Sequence, residues 1–214
     1  MTIAVTWFPR PDEVIQQAAQ TWKGADFIIY PDCETEPPIT GHPVNHLGEN
    51  VGCFRHYYRA LSDLLRNTST DLIGIIPDDV ILSDGWADKV KAAHRGHGVG
   101  YTASYTPSGM TRLSQKVRFG KGWQEVKGGW GRSYGGCYVF NRSVAQRLIY
   151  HPFILTHHAT YGKNQQIDAA IPEAIHRMGL RQLMHVPSLA DHVGITSTIG
   201  HKHTVNERGL NFIA

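Results

Sequence analysis

The chain reads as a single α/β domain, a mostly parallel central sheet flanked by helices, on three grounds. Short β-rich apolar runs alternate with segments of helical period through residues 1–82, the pattern of parallel βαβ units. The runs end at prolines and carboxylates, the positions where open α/β sheets bind ligands. No repeat and no linker divides the 214 residues into two cores.

Taken in order, "IAVTWF" (3–8) is the first strand and stops at Pro9-Arg10-Pro11. "DEVIQQAAQTW" (12–22) has acids at its start and apolar positions at helical spacing, so a helix is expected. "ADFIIY" (25–30) is a second strand, stopped at Pro31-Asp32, and the proline-rich stretch 31–49 reads as loop. "VGCFRHYYRALSDLLRNT" (51–68) aligns Phe54, Tyr57 or Tyr58, Leu61 and Leu64-Leu65 on one helical face. The strand "DLIGIIP" follows. Beyond it, 84–95 reads as helix and 98–106 as strand, and 107–136 as glycine-rich loops or a short hairpin. Residues 135–151 read as strand then helix. Residues 164–180 read as a helix kinked or restarted at Pro172 and closed by Gly179. A last strand spans 181–194 and enters a polar tail.

Bulk properties narrow the function classes. No apolar run approaches the ~20 residues of a membrane span, and "MTIAVTWFPRPDEV" lacks the layout of a secretion signal. A soluble, cytoplasmic protein without a membrane partner is expected. Cys33, Cys53 and Cys137 are odd in number and lie far apart, which argues against a disulfide framework or a zinc knuckle. The net charge of +3 permits an acidic partner without requiring one.

Within "LIGIIPDDVIL" (72–82), Asp78 and Asp79 stand side by side at a strand tip. Like charges that close repel unless the tip is wet or a cation sits there. Pro-Asp-Asp is also good turn chemistry. Carboxylates are hard ligands suited to Mg²⁺ or Mn²⁺ bound together with substrate phosphates. His192 in "PSLADHVGITSTIG" precedes a donor-rich tail in which Ser197 and Lys202 could cover a diphosphate. Neutral imidazole is a common metal ligand, although a lone histidine after a strand is more often surface or core. Asn50, Gly52, Arg55 and Arg59 open an amphipathic helix whose N-terminus suits a phosphate. Asp168 and its rival Glu173 are candidates for a general base, set against the simpler reading of acids that serve a helix dipole. Trp130 and Tyr134 in "GGWGRSYGG" could stack on a sugar face or pack a turn. "GHGVG" has the wrong spacing for a dinucleotide fingerprint, and no GxxxxGK[ST] occurs.

Four stretches, "VTWFPR", "NVGCFRHYYRALSDLL", "IIPDDVILSDGW" and "GGCYVFNRSVAQRLI" through "IDAAIPEAI" to "PSLADHVGITSTIG", together resemble a nucleotide-sugar glycosyltransferase of the GT-A fold. The acidic pair resembles the DxD-type motif in its "EDDV" variants, with Pro77 in place of the first acid. The resemblance implies Asp79 as a direct ligand of Mn²⁺ or Mg²⁺, Asp78 on the donor sugar or ribose, and His192 as the C-terminal metal ligand. It also implies Asp168 as the base of an inverting reaction. On this reading Thr6, Phe8, Arg10 and Asp32 cradle base and ribose. Residues 1–82 form the donor half for a nucleoside-diphosphate sugar, UDP-sugar favoured, and 83–214 the acceptor half.

The basic loop 112–132, with Glu125 its only acid, could receive the phosphates of a polyanionic acceptor such as DNA with hydroxymethylated bases, although a solvated loop is the simpler reading. A small phage-type enzyme working in the host cytoplasm is the matching context. A glycan or polysaccharide acceptor fits nearly as well. A nucleotidyltransferase is the alternative of another class, and the absence of an evident glycine-rich, lysine-bearing loop after the first strand counts against it. The interleaved basic and aromatic residues of 112–132 keep open a nucleic-acid-binding module without catalysis.

Overall fold

A computed structural model describes residues 1–48, 51–106, 120–126, 136–161, 167–193 and 212–213, with side chains for all of these but 158–161 and 168. The order of elements is β1 (Thr2–Trp7), α1 (Asp12–Ala19), β2 (Asp26–Pro31), α2 (Cys53–Asn67), β3 (Leu72–Pro77), β4 (Val80–Leu82), α3 (Trp86–Ala93) and β5 (Val99–Ala103). Then follow β6 (Gly122–Val126), β7 (Tyr138–Asn141), α4 (Arg142–Ile149), α5 (Pro152–Tyr161), α6 (Ile167–Arg177), β8 (Arg181–Val186) and β9 (Ala190–His192).

Seven strands form one sheet in the order β2-β1-β3-β7-β5-β8-β6. β1 runs parallel to both β2 and β3, and β5 runs parallel to β8. Only β7 and β6 run against the rest, so the sheet is mostly parallel, as the alternation of elements predicts. β1 is central and buried along its whole length. A strand covered on both faces needs a continuous apolar run rather than an alternating one, and "IAVTW" supplies it.

The side chains of each central strand divide by parity between two cores. Ala4, Ile73, Ile75, Tyr138 and Phe140 face one core with α2, α4, α5 and α6. Ile3, Val5, Ile76 and Val139 face the other with α1 and α3. Helix α2 buries Phe54, Tyr57, Leu61 and Leu64 at spacings of three and four, the stripe its sequence predicts. At the β1/β3/β7 junction the strands meet over Gly74, where a Cβ would lie 2.5 Å from Ile3 Cδ1 and 3.0 Å from the Tyr138 carbonyl oxygen.

The structure departs from the sequence reading in three places. Within the stretch expected as loop or short hairpin, Gly122–Val126 form edge strand β6 against β8. Only Val126 of this strand is buried, so it carries little hydrophobic signal. Helix α5 was not expected; its apolar residues do not gather on one face, and Pro152 at its start is a position where proline loses no helical bond. The last strand is two. β8 ends at Val186, a cis Val186–Pro187 bond follows, and β9 leaves the main sheet to pair antiparallel with β4.

Candidate active site

Three strand tips lie side by side at the carboxyl edge of the sheet. The Asp32 N–H donates to the Trp7 carbonyl at 3.0 Å and the Asp78 N–H to the Thr6 carbonyl at 3.2 Å, which carry the β2/β1 and β1/β3 ladders one residue past the strands. Asp32 and Asp78 are thereby held at the crevice where such sheets bind ligands. Thr6 itself is fully buried and its hydroxyl lies 3.4 Å from the Ile76 carbonyl oxygen, so it meets the site through its backbone.

The two-stranded sheet brings in the histidine. Register pairs Val80 with His192, Ile81 with Asp191 and Leu82 with Ala190. The Val193 N–H closes the ladder on the Asp79 carbonyl at 2.7 Å. β4 is itself held by the turn after α1, where the Thr21 hydroxyl oxygen accepts from the Leu82 N–H at 2.9 Å. The Trp22 Nε1–H beside it donates to the Val80 carbonyl at 2.9 Å. His192 Nδ1 therefore sits 3.0 Å from Asp79 Oδ1, with the Tyr105 ring edge-on at 4.7 Å between centroids.

Arg10 completes the cluster. From the turn after β1 its guanidinium reaches both acids, Nη2 to Asp78 Oδ1 at 2.9 Å and Nη1 to Asp79 Oδ2 at 2.8 Å. The Phe8 N–H donates to Asp78 Oδ2 at 3.2 Å. Each of the four carboxylate oxygens thus lies against a protein group, Asp78 Oδ1 as an ion pair without hydrogen-bond geometry, in a pocket where Asp78 is wholly buried and Asp79 nearly so. Burial pushes Asp78 up to about 7, Arg10 opposes the rise, and the neighbouring Asp79 charge adds to it. Burial also works to raise Asp79, but the His192 hydrogen bond and charge, followed by Arg10, outweigh it and hold Asp79 at about 2. The two adjacent acids are driven apart by their surroundings.

A second buried pair lies beside the first. His56 Nδ1 is 3.6 Å from Asp32 Oδ1, and His56 Nε2–H donates to the Tyr30 carbonyl at 2.7 Å. The Phe8 ring meets the His56 ring in a T-shape at 5.7 Å. Burial raises Asp32 and lowers His56, favouring the neutral form of each, while their mutual attraction works the other way. Sequence reasoning missed His56 and Tyr105. The signal for His56 was available, since it lies in the first turn of α2 near the helix N-terminus already suspected of binding a ligand.

Phe8, Arg10, Asp78, Asp79 and His192 are thus brought into one constellation, with Asp32 alongside. Arg55 is exposed in the first turn of α2. Arg59 donates to the Leu47 carbonyl at 3.3 Å. Asp168 lies in the first turn of α6, its side chain outside those described. Its rival Glu173 is largely buried and pairs with Arg177 at 2.7 Å, whose guanidinium covers the Phe153 ring at 4.3 Å. Asn50, Trp130, Tyr134, Ser197 and Lys202 lie outside the described residues. A groove of about 580 Å³ between α2 and α4, lined by Tyr58, Arg59, Arg66 and Tyr150 among others, shares no residue with the carboxylate site. Volume alone does not mark chemistry; the convergent charges at the strand tips do.

Among the described residues no group of three or more histidine, cysteine or acidic side chains gathers in the manner of a metal cage, and no helix is long and apolar enough to cross a membrane.

No family model matches the sequence, and no curated protein matches it. Solved structures do match the fold. The structure of GalNAc-T7 with UDP, GalNAc and Mn²⁺ aligns with a TM-score of 0.62 at 9% identity, covering 89% of this chain and 43% of that one. The crystal structure of A197 from STIV aligns with a TM-score of 0.49 at 14% identity, covering 90% of this chain and 85% of that one. The chain spans less than half the length of the GalNAc-T7 chain it matches. At such identity the likeness is one of fold, and it shows the GT-A type of α/β sheet that the sequence predicts.

Proposed function

We propose that the chain is a glycosyltransferase that moves a sugar from a nucleoside-diphosphate sugar, UDP-sugar favoured, to an acceptor hydroxyl. The observation that carries this reading is the constellation of Arg10, Asp78, Asp79 and His192 at the carboxyl edge of β1 and β3. The fold match adds to it, since the GalNAc-T7 structure holds UDP, GalNAc and Mn²⁺.

Oxygen and imidazole donors of the kind Mn²⁺ or Mg²⁺ accepts are paired in Asp79 and His192, so the donor set fits such an ion in kind. These two residues would hold it, and its charge would stabilise that developing on the leaving diphosphate. Asp32 and the Phe8 backbone would orient the base and ribose at the strand tips, with Asp78 facing the donor sugar. Asp168 would take the proton as the acceptor oxygen attacks the anomeric carbon, and the bond to the diphosphate breaks on the opposite face, which inverts the configuration. Asn50, Ser197 and Lys202 are proposed on the phosphates, and Trp130 and Tyr134 at the acceptor. A hydroxymethylated base in DNA is the proposed acceptor, with the basic loop 112–132 meeting its phosphates.

The test is a thermal-shift panel of nucleoside diphosphates and sugar nucleotides, with and without Mn²⁺, on wild type and Asp79→Ala. Stabilisation by one nucleotide, strengthened by Mn²⁺ and lost in the variant, is expected. No shift with any nucleotide at millimolar concentration would overturn the reading. For the acceptor, binding to DNA must fall steeply with salt, as counterion release requires; a flat response would point to a glycan.

A further inference from the structure

The carboxylate pair already has a cation. Arg10 places one guanidinium nitrogen on each acid, at 2.9 Å from Asp78 and 2.8 Å from Asp79, and its side chain is only 8% exposed. This bridging of two residues by one planar group needs a fork; the single ammonium of a lysine cannot present two fixed donors in that way. The remaining oxygens accept from Phe8 N–H and face His192 Nδ1. Asp79 is only 6% exposed and both its oxygens are engaged, so an ion that reaches it displaces either His192 from Oδ1 or Arg10 from Oδ2. Displacing His192 removes a ligand the ion needs. Displacing Arg10 removes a like charge that would otherwise sit against it.

We propose that Arg10 is the resident cation of the acidic pair and competes with the divalent ion for Asp79, so that metal binding becomes conditional on the donor's diphosphate. The negative charge of the diphosphate draws the guanidinium off Asp79 and offers it a new partner of the geometry it prefers. Pro9 and Pro11 on either side of Arg10 limit its backbone, so its release is a movement of the side chain. The divalent ion at Asp79 and the role of the diphosphate rest on the proposed function; the contacts of Arg10 with both acids do not.

The experiment is a titration with Mn²⁺ alone, read by electron paramagnetic resonance of the free ion, on wild type and Arg10→Gln without nucleotide. An arginine that holds Asp79 nine times in ten weakens apparent metal affinity about tenfold, so Arg10→Gln should bind Mn²⁺ about tenfold more tightly or better. Its melting temperature should rise with Mn²⁺ while that of wild type stays still. Because Arg10→Gln leaves two buried acids uncompensated, the same comparison is made between Asp78→Asn and Arg10→Gln/Asp78→Asn, where one charge has been removed. Equal Mn²⁺ affinity within each pair overturns the competition. Adding UDP to wild type should then raise Mn²⁺ affinity toward that of the Arg10 variants. If UDP does nothing to any variant while the variants still differ, the donor assignment fails and the competition stands.

Discussion

His94 is buried beside the sheet, where its Nε2 and the Thr102 hydroxyl lie 3.1 Å apart, and burial lowers it to about 4. The folded chain refuses a proton that the unfolded chain takes up below about 6.5. Its contribution is therefore complete above about 6.5 and is lost as pH falls toward about 4, a change on the order of 3 kcal/mol. Asp78, held at about 7, works in the opposite sense over the same range, so the His94 contribution is read as a difference: between pH 7 and pH 4.5 the unfolding free energy from urea denaturation should lose about this much more in wild type than in His94→Gln. His56 behaves alike in direction and carries a second expectation. Its ring satisfies the Tyr30 carbonyl and faces Asp32, so His56→Leu leaves both without that partner and should cost about 1–3 kcal/mol in chemical denaturation. A change within experimental scatter would mean that water or a neighbour replaces the imidazole. At this scale the sequence was legible where a residue sat at a strand end, as Asp32, Asp78 and Asp79 do. Arg10 was assigned to base and ribose, and its contacts with both acids were not legible, because they depend on the path of a turn.

At the scale of elements, the site depends on a strand too short to be read. β9 has three residues, and only Pro187, Ser188 and Leu189 separate it from β8. Its partner β4 is equally short, three apolar residues after Asp79 that the sequence reading assigns to no strand of their own. Yet this pair sets His192 beside Asp79, and the Val193 N–H to Asp79 carbonyl bond fixes the last step. Val193→Pro removes that donor while leaving the seven-stranded sheet intact. Far-UV circular dichroism should stay native and the nucleotide-dependent thermal shift should disappear; a retained shift would show that His192 reaches its place without the ladder. Gly74 tests the main sheet in the same way. A methyl there would strike Ile3 and crowd the Tyr138 carbonyl, so Gly74→Ala should cost about 1–3 kcal/mol by denaturant unfolding. The βαβ alternation foretold β1 to β3, since parallel strands buried on both faces declare themselves as apolar runs. It could not foretell that β7 runs antiparallel between β3 and β5, a matter of connection rather than composition.

For the whole molecule, the sequence suggested a donor half, 1–82, and an acceptor half, 83–214. The sheet threads the two together. β7, from the second segment, lies against β3, from the first, with register Ile73 to Phe140 and Ile75 to Tyr138. One core joins Phe54, Leu61 and Leu64 of α2 to Leu148, Ile171 and Ile175 of the later helices. The other joins Ile3, Ile15 and Phe27 to Val90, Val139 and Leu189. If the chain is cut after residue 82, β3 loses its partner along one edge and α2 loses the helices that cover it. A segment so stripped keeps its propensities but not the burial that outweighs the entropy of ordering it. The two segments are therefore expected to be one cooperative unit. Urea unfolding of the intact chain should give coincident transitions by tryptophan fluorescence and by circular dichroism, the first weighted to Trp7, Trp22 and Trp86 in the core beneath α1 and α3. The isolated segment 1–82 should show no cooperative transition. Two separated transitions, or a folded 1–82, would mean that the donor half stands alone and that the later strands were added to a finished fold.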